Sequence, residues 1–269
     1  MTAPVRRDLS VLKLGGELIE SAGRAAALAP AVAALAARGP LLVVHGGGRE
    51  IDAECARRGI EKRAVDGLRV TDPHTLDAVV AVLAGTVNTR LVAALVAAGV
   101  PAVGLTGVDA ACVPVVRSAP HRAVNGQTID LGWVGEPSGD GEPRLLTGLL
   151  SLGYVPVVAC LGADPAGQVH NVNADTLAGH LAAALGARRL IVAGATAGVL
   201  DAEGRTLAHL TGAGVDALVG SGTASAGMVA KLAACRCALD RGVAEVFIVD
   251  GRDPASLLAP GGTRLLRGE

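Results

Sequence analysis

The eight residues Leu41-Leu42-Val43-Val44-His45-Gly46-Gly47-Gly48 decide the fold of this chain. The four apolar residues at the start predict a strand that is buried on both faces, which is typical of a parallel sheet. Three consecutive glycines follow directly, before a helical pattern at 50–58. Because each glycine costs backbone entropy, turn geometry alone explains such a run poorly. The pattern indicates a loop whose N–H groups approach an anion at the carboxyl end of a strand, and His45 is interpreted as structural.

The same alternation of strand and helix continues along the chain. Apolar runs rich in β-branched residues predict strands at 11–14, 41–45, 101–105, 155–158, 189–193 and 245–249. Patterns rich in Ala and Leu predict helices at 24–38, 50–58, 73–98, 144–152, 174–185 and 228–241. Buried strands separated by helices predict an α/β fold, with a mostly parallel sheet and helical layers on each side. We predict two lobes, residues 1–186 and 187–269.

Two stretches interrupt this alternation. Residues 111–117 and 129–136 flank polar residues around 125–126 and predict a β-hairpin that projects from the sheet. The loop 137–143 that follows is rich in Gly and Pro and is expected to be mobile.

Composition excludes several classes of function. The 269-residue chain has a net charge of -1 with scattered arginines, which argues against nucleic acid as a partner. Its only aromatic residues besides histidine are Trp133, Tyr154 and Phe247, so a bound base must be held by aliphatic walls and backbone groups. The uncharged run 91–108 is broken by Gly99 and Pro101, so we expect no membrane span. The N-terminal apolar stretch is short and interrupted by Lys13, so we expect no secretory signal. The five cysteines lack zinc-type spacing and indicate reduced thiols in a cytoplasmic protein.

The lysines are few and their positions are informative. Of 24 basic residues, only Lys13, Lys62 and Lys231 are lysines, and the first and last fall inside glycine-rich turns. A chain so rich in arginine is expected to keep lysine where a compact ammonium is needed. In Lys13-Leu14-Gly15-Gly16, the lysine supplies a point charge for a phosphate, or else it is solvated at a tight turn.

Lys231 lies in the first turns of a predicted helix, within Gly227-Met228-Val229-Ala230-Lys231. A lysine there opposes the helix dipole, and a bound anion would remove that conflict. Gly222 and Gly227 have the separation of a Walker A motif, but Met228 stands where that motif has its lysine.

Two further segments each have a binding and a structural interpretation. In the segment 67–72, Arg69 forks onto a carboxylate, or it packs along the surface while Asp72 caps the next helix. In Asn171-Val172-Asn173-Ala174-Asp175, the residues suit a helix N-terminus. The two amides would also line up for a small polar ligand, with Asp175 holding cationic side chains.

In their order, these five segments resemble the N-acetylglutamate kinase family of the amino-acid kinase fold, over about residues 11–266. The resemblance implies a three-layer αβα sandwich, with the acceptor in the N-terminal lobe and ATP with Mg²⁺ on the C-terminal lobe. The reaction implied is in-line transfer of the γ-phosphoryl group to the γ-carboxylate of N-acetyl-L-glutamate, in arginine biosynthesis. A carboxylate is already a nucleophile, so catalysis consists of positioning and charge stabilisation.

The resemblance also implies a role for each site residue. Lys13 and Lys231 neutralise the phosphoryl oxygens, Asp175 orients both lysines, and Gly15 and Gly47 donate backbone N–H bonds. Arg69 binds the α-carboxylate of the acceptor. The remaining assignments concern ligand binding: substrate for Gly47, Gly48, Asn171 and Asn173, and phosphate or ATP for Gly15, Gly16, Gly46 and Gly227.

Several features leave alternatives open. Ala195 stands where family members usually carry Asp, which puts in doubt how the sugar or adenine is held. The alternatives are a kinase of the same fold for another carboxylate, such as an N-substituted α-aminoadipate, and a non-catalytic regulatory paralogue. Only ten residues precede the first predicted strand, so we expect a homodimer built around the helix 73–98 and no inhibition by arginine.

Overall fold

The computed structural model describes residues 8–123, 126–139, 143–259 and 261–267. The strands are β1 (Ser10–Leu14), β2 (Leu41–His45), β3 (Ala64–Val65), β4 (Leu68–Arg69), β5 (Ala102–Thr106), β6 (Val115–Arg117), β7 (His121–Arg122), β8 (Thr128–Ile129), β9 (Val134–Pro137), β10 (Val155–Ala159), β11 (Leu161–Ala163), β12 (Val169–Val172), β13 (Arg189–Gly194), β14 (His209–Thr211), β15 (Glu245–Asp250) and β16 (Thr263–Leu266). The helices are α1 (Ala22–Ala36), α2 (Gly48–Arg57), α3 (Pro73–Val80), α4 (Asn88–Ala97), α5 (Arg144–Ser151), α6 (Ala174–Ala184), α7 (Gly212–Gly220), α8 (Ala226–Asp240) and α9 (Ala255–Leu258).

The core of the molecule is an eight-stranded sheet in the order β14-β16-β15-β13-β1-β2-β10-β5. Strands β1, β2, β10, β5, β13 and β15 pair in parallel, whereas β16 runs antiparallel to β15. Every residue of β1, β2 and β10 is buried, as expected for strands covered on both faces. The predicted α/β fold with a mainly parallel sheet is confirmed. All six predicted strands are present, with ends that differ by at most one residue.

The predicted lobe boundary at 186/187 falls in the turn between α6 and β13. Strands from both sides of this boundary lie in one sheet, because β1 pairs directly with β13. Helix α6 contacts β1, β2 and β13 and packs against α8, while α1 packs against α4. The division into an acceptor lobe and a nucleotide lobe stays a prediction.

The predicted helix 73–98 is present as α3, a π-helical stretch Ala81–Val87 and α4. Asp72 caps it, since its Oδ1 accepts a 2.8 Å hydrogen bond from the N–H of Thr75, and Pro73 follows at the first turn. By length and composition alone, this run is apolar enough to cross a membrane. Its residues Leu83, Leu91 and Leu95 are buried, and α4 packs on α1 and β5, as in a core helix.

The predicted hairpin is present but belongs to a larger sheet. Strands β6 and β9 pair antiparallel, and β7 pairs with β8 farther along. Strand β9 also pairs with β12, which builds a second sheet in the order β11-β12-β9-β6. The prediction of a simple hairpin was therefore incomplete. Residue 125 of its tip and residues 140–142 of the predicted loop lie outside the described residues.

Candidate active site

Two glycine loops meet at the carboxyl ends of β1 and β2. A Cβ atom built on Gly16 would lie 2.8 Å from the Cα of Gly47 and 3.1 Å from the N of Gly48. Gly16 tolerates no side chain at this contact, because the atoms it would meet are backbone, and a Cβ atom on Gly47 would lie 2.9 Å from the Leu83 side chain. The prediction that the two glycine turns lie at one edge of the sheet is confirmed.

The backbone N–H groups of these loops divide into two sets. Gly15 donates to the Ala193 carbonyl at 2.9 Å, and Gly46 donates to the Leu14 carbonyl at 3.2 Å. The Gly15 N–H is thus satisfied within the sheet, and its predicted donation to a ligand stays a prediction. Across the described residues, no hydrogen bond uses the N–H groups of Gly16, Gly47 or Gly48. These three groups are the available donors, beside the N-terminus of α2.

Lys13 and Asp175 form a buried ion pair beside these loops. The Lys13 Nζ lies 2.9 Å from the Asp175 Oδ1, with side chains 9% and 12% exposed. Burial alone would lower the pKa of Lys13, but the Asp175 carboxylate outweighs burial and holds that pKa above its usual value. Burial would raise the pKa of Asp175, but the charges of Lys13 and Lys231 hold it below the usual range. Both groups are therefore charged at neutral pH.

Lys231 faces the same place from the second turn of α8. Burial and the nearby Lys13 charge lower the pKa of Lys231, and Asp175 opposes them only in part. Of the carboxylates in the described ranges, none lies within 4.0 Å of the Lys231 ammonium. Asp175 thus contacts Lys13 directly but acts on Lys231 only at longer range. A half-buried ammonium without a paired carboxylate is a place where a phosphate oxygen would be stabilised.

Of the predicted acceptor residues, Arg69 lies beside Gly48 and Asn171 contacts the segment of Arg69 through Thr71. Arg69 Nη2 donates to the Gly48 carbonyl at 3.1 Å and forms an ion pair with Asp52. Asn171 Nδ2 donates to the Thr71 hydroxyl at 3.2 Å. Thr71 is held to the segment that leads into β9, because its N–H donates to the Leu131 carbonyl at 2.8 Å. The segments around Arg69 and Asn171, far apart in sequence, therefore form one side of the site.

Asn173 has the structural role that the helix N-terminus interpretation of its segment predicted. Its Oδ1 accepts hydrogen bonds from the N–H groups of Asp175 at 2.9 Å and Thr176 at 3.1 Å, so it caps α6. The cap fixes the first turn of the helix and with it the Asp175 carboxylate. Asn173 also borders a cavity of about 520 Å³ between the hairpin and helices α6 and α8. A space of this size suits a small ligand.

His45 is structural, as the sequence indicated. Its Nδ1 donates to the Gly46 carbonyl at 3.0 Å, and its Nε2 accepts from the Asn88 side chain at 3.0 Å. Burial lowers the pKa of His45 to about 4, so the ring is neutral at physiological pH. Asn88 Nδ2 also donates to the Val157 carbonyl at 2.9 Å, which ties α4 to β2 and β10 beneath the glycine loop.

Gly227 stays without a structural explanation. A Cβ atom at Gly227 would meet nothing within 4 Å, so the backbone does not require glycine there. The contact of Gly227 with ATP stays a prediction.

Sequence reasoning missed three residues of this site: Glu17, Asp52 and Thr71. Glu17 Oε1 accepts a 3.1 Å hydrogen bond from the N–H of Ala195, the position that lacks the expected carboxylate. Asp52 pairs with both Arg69 and Lys62. The position of Glu17 directly after Gly15-Gly16 was a usable signal, whereas Asp52 lies on a helix that gives no reason to single it out.

The model of the amino acid kinase family matches residues 8–250. This chain belongs to the amino acid kinase family. Among curated members, an acetylglutamate kinase from Solibacter usitatus (strain Ellin6076) is 44% identical over 260 residues, which are 96% of this chain and 95% of that protein. An acetylglutamate kinase from Chloroflexus aurantiacus (strain ATCC 29366 / DSM 635 / J-10-fl) is 40% identical over 263 residues, 97% of this chain and 98% of that protein.

Solved structures of other amino acid kinase folds agree with the architecture. The structure of N-acetylglutamate synthase from Neisseria gonorrhoeae, complexed with coenzyme A and N-acetyl-glutamate, superposes with a TM-score of 0.82 at 25% identity. The match covers 98% of this chain but only 61% of that synthase chain. Carbamate kinase from Giardia lamblia bound to AMP-PNP superposes with a TM-score of 0.68 at 14% identity, covering 98% of this chain and 100% of the other, and so shares the fold.

Proposed function

We propose that this chain phosphorylates the γ-carboxylate of N-acetyl-L-glutamate with ATP, giving an acyl phosphate, as a step of arginine biosynthesis. The observation that carries the proposal is the convergence of Lys13, Asp175 and Lys231 on the free N–H groups of the glycine loops. Two lysines and three backbone donors suit the oxygens of a phosphoryl group in transfer. Acetylglutamate kinases at 40–44% identity over nearly the whole chain support the same activity.

In this mechanism the acceptor carboxylate attacks the γ-phosphorus in line with the bond to the leaving ADP oxygen. The acceptor carboxylate carries no proton at neutral pH, so no side chain must act as a general base. Lys13 and Lys231 bind phosphoryl oxygens, whose negative charge is greatest as the bond to ADP breaks. Asp175 holds Lys13 in place and keeps it protonated. The N–H groups of Gly16, Gly47 and Gly48 supply further hydrogen bonds to the same oxygens.

The acceptor lies on the side of Arg69 and Asn171. We propose that Arg69 binds its α-carboxylate, with Asp52 holding the guanidinium in a fixed orientation. Asn171 and the amide of Asn173 bind the remaining polar groups. Only 14% of the Arg69 side chain is exposed, so a ligand reaches a small part of it.

Mg²⁺ enters this proposal as the ion carried by ATP. The described residues contain no group of three or more His, Cys, Asp or Glu side chains that could hold a metal ion. This fits an ion held mainly by nucleotide phosphates and water, with at most one or two carboxylates from the protein. When bound, Mg²⁺ neutralises charge on the ATP phosphates.

We also propose a cytoplasmic homodimer that is built on the helix from Pro73 to Ala97. Its exposed face presents small residues about one turn apart, namely Ala81, Gly85, Thr89, Ala93 and Ala97. Small side chains let two helices approach closely, so this face suits a second copy of the chain.

The test is release of ADP coupled to formation of the acyl phosphate, trapped with hydroxylamine as a hydroxamate. N-acetylglutamate should support both signals. Its α-amide should barely react, because Arg69 loses its charged partner. Equal rates with acid and amide would remove Arg69 from its role, and faster turnover of N-acetyl-α-aminoadipate would favour the longer acceptor. Absence of both products with every acceptor would favour a non-catalytic binding protein.

A further inference from the structure

Glu17 joins the two halves of the central sheet at the edge where the lysines meet. It lies in the short 3-10 turn Gly16–Leu18 that follows β1. Its Oε1 accepts a 3.1 Å hydrogen bond from the N–H of Ala195, the first residue after β13. Since β1 and β13 are neighbouring parallel strands, the carboxylate bridges the loops that leave them. In this way a side chain of the first glycine loop fixes the backbone of a segment far along the chain.

The backbone around this carboxylate has no side chains that would displace it. A Cβ atom on Gly15 would overlap the Glu17 carboxylate, so glycine at this position leaves the space that Glu17 occupies. A Cβ atom on Gly194 would lie 3.4 Å from the Glu17 Oε1 and 3.1 Å from the Lys231 Nζ. The Glu17 carboxylate and the Lys231 ammonium therefore converge above the same glycine.

The charges at the site indicate what the Glu17 carboxylate does there. Two ammonium groups, Lys13 and Lys231, repel each other, and Asp175 is paired directly with only one of them. The groups that face Lys231 are Lys13 on β1, Asp175 on α6, Cys235 one turn along α8, and Glu17. Burial and Lys13 lower the pKa of Lys231, while Asp175, Cys235 and Glu17 oppose that effect. Glu17 is thus the second carboxylate beside a pair of lysines.

We propose that Glu17 is a positioning residue. Its carboxylate ties the loop after β1 to Ala195 and, acting across more than 4.0 Å, attracts the Lys231 ammonium toward Gly194, where it meets the phosphoryl group. The role of this ammonium rests on the proposed kinase function. The bridge and the charge are two separable contributions. A glutamine at position 17 keeps an oxygen that accepts from Ala195 but removes the charge, whereas an alanine removes both.

The kinetic experiment compares Glu17→Gln and Glu17→Ala with Glu20→Gln. Glu20 is a matched control, because it lies in the same segment and pairs with Arg24 and Arg49 rather than with the site. In Glu17→Gln, the fall of kcat at alkaline pH should begin at a lower pH than in the wild type, because Lys231 loses its proton more easily without the nearby negative charge. We expect kcat at pH 8 to fall by about tenfold in Glu17→Gln and further in Glu17→Ala, the scale of losing a partner that orients a ligand group.

Two kinetic outcomes overturn the proposal. One is a pH profile of Glu17→Gln that coincides with those of the wild type and Glu20→Gln. The other is a lower KM for ATP with unchanged kcat, which would show that the carboxylate competes with phosphate instead of positioning a lysine.

A second measurement does not depend on turnover. Trace acetylation of the three lysines over a range of pH, read by mass spectrometry, reports the protonation of each one. The midpoint for Lys231 should move to lower pH in Glu17→Gln, while Lys62, exposed and paired with Asp52, serves as the internal reference. An unmoved Lys231 midpoint overturns the inference. If the wild type releases no ADP in response to acetylglutamate but the Lys231 midpoint still shifts in Glu17→Gln, the proposed function is overturned and the role of Glu17 beside Lys231 stands.

Discussion

The Lys13 ammonium lies 2.9 Å from the Asp175 carboxylate, which joins the first strand of the sheet to the first turn of α6. The negative charge of Asp175 is stabilised by two neighbours, the helix N-terminus and the Lys13 ammonium. Burial disfavours the charge of Lys13, and that charge is favoured chiefly by Asp175, with smaller contributions from Glu17 and Cys160. The two partners are therefore unequal, and removing the carboxylate leaves a buried cation.

We predict that Asp175→Asn lowers the free energy of unfolding at pH 7 by about 3 kcal/mol, the cost of leaving one member of a buried pair alone. In the wild type, the raised pKa of Lys13 adds stability below the unfolded pKa of about 10.5 and loses it at higher pH. In the variant, burial alone lowers that pKa, so the penalty should shrink as pH rises toward 10. Urea unfolding at pH 7 and 9.5 checks this shrinkage, because the wild-type contribution of Lys13 is still nearly complete at both pH values.

The control for this variant is Asp130→Asn, which removes a surface partner of Arg117. Exposed ion pairs contribute little, so its unfolding curve should stay close to that of the wild type. If Asp175→Asn lowers the free energy of unfolding no more than Asp130→Asn does, the buried pair contributes no more to stability than an exposed one.

Replacing either site lysine by arginine keeps the charge but exchanges a compact ammonium for a wide planar fork. We predict that kcat falls at least about a hundredfold for Lys13→Arg and for Lys231→Arg, the scale of one lost transition-state contact. Lys62→Arg is the control for the exchange itself. Lys62 is exposed and shares Asp52 with Arg69, so the exchange can alter KM for the acceptor but should leave kcat near that of the wild type. Near-normal kcat in either site variant would assign that lysine a structural role only.

Gly16→Ala tests the contact between the glycine loops. A methyl group at Gly16 would lie 2.8 Å from the Cα of Gly47, and backbone on both sides must move apart to admit it. We predict a loss of about 1–3 kcal/mol in unfolding free energy and a fall in kcat/KM for ATP of about a hundredfold. Gly23→Ala is the control, since a Cβ atom there meets nothing within 4 Å. Equal activity in the two variants would contradict a role of the contact between the two glycine loops in binding ATP.

Most of the fold was predictable, because the apolar residues of β2 predict a buried strand and the glycines that follow directly predict an anion-binding loop. The short strands β3 and β4 were missed, since two residues give no periodicity. Their turn nevertheless carried a signal in Asp66-Gly67, where both residues have positive φ, 50° and 80°. The partner of Arg69 was beyond prediction, because Asp52 is one of several charged residues on α2.

His45 predicts how the fold responds to acid. Its folded pKa of about 4 lies below the usual 6.5, so its contribution is complete above pH 6.5 and declines as pH falls toward 4. We expect this histidine to account for a loss of about 3 kcal/mol over that window, from the size of the shift. His45→Gln, which cannot be protonated, should flatten this part of the stability profile while lowering stability at pH 7. A variant that retains the full acid-induced loss would contradict the assignment.

The exposed small residues along the helix from Pro73 to Ala97 predict how two chains associate. Gly85 lies near the middle of this face and is exposed, and a Cβ atom there would meet nothing within 4 Å, so Gly85→Arg should fold normally as a monomer. If two copies pack through this face, the added side chain should convert the dimer seen by light scattering into monomer. Gly23→Arg, on α1 and equally open, should leave the dimer intact. A dimer that persists in Gly85→Arg, or a wild type that is monomeric or hexameric, would contradict the predicted interface.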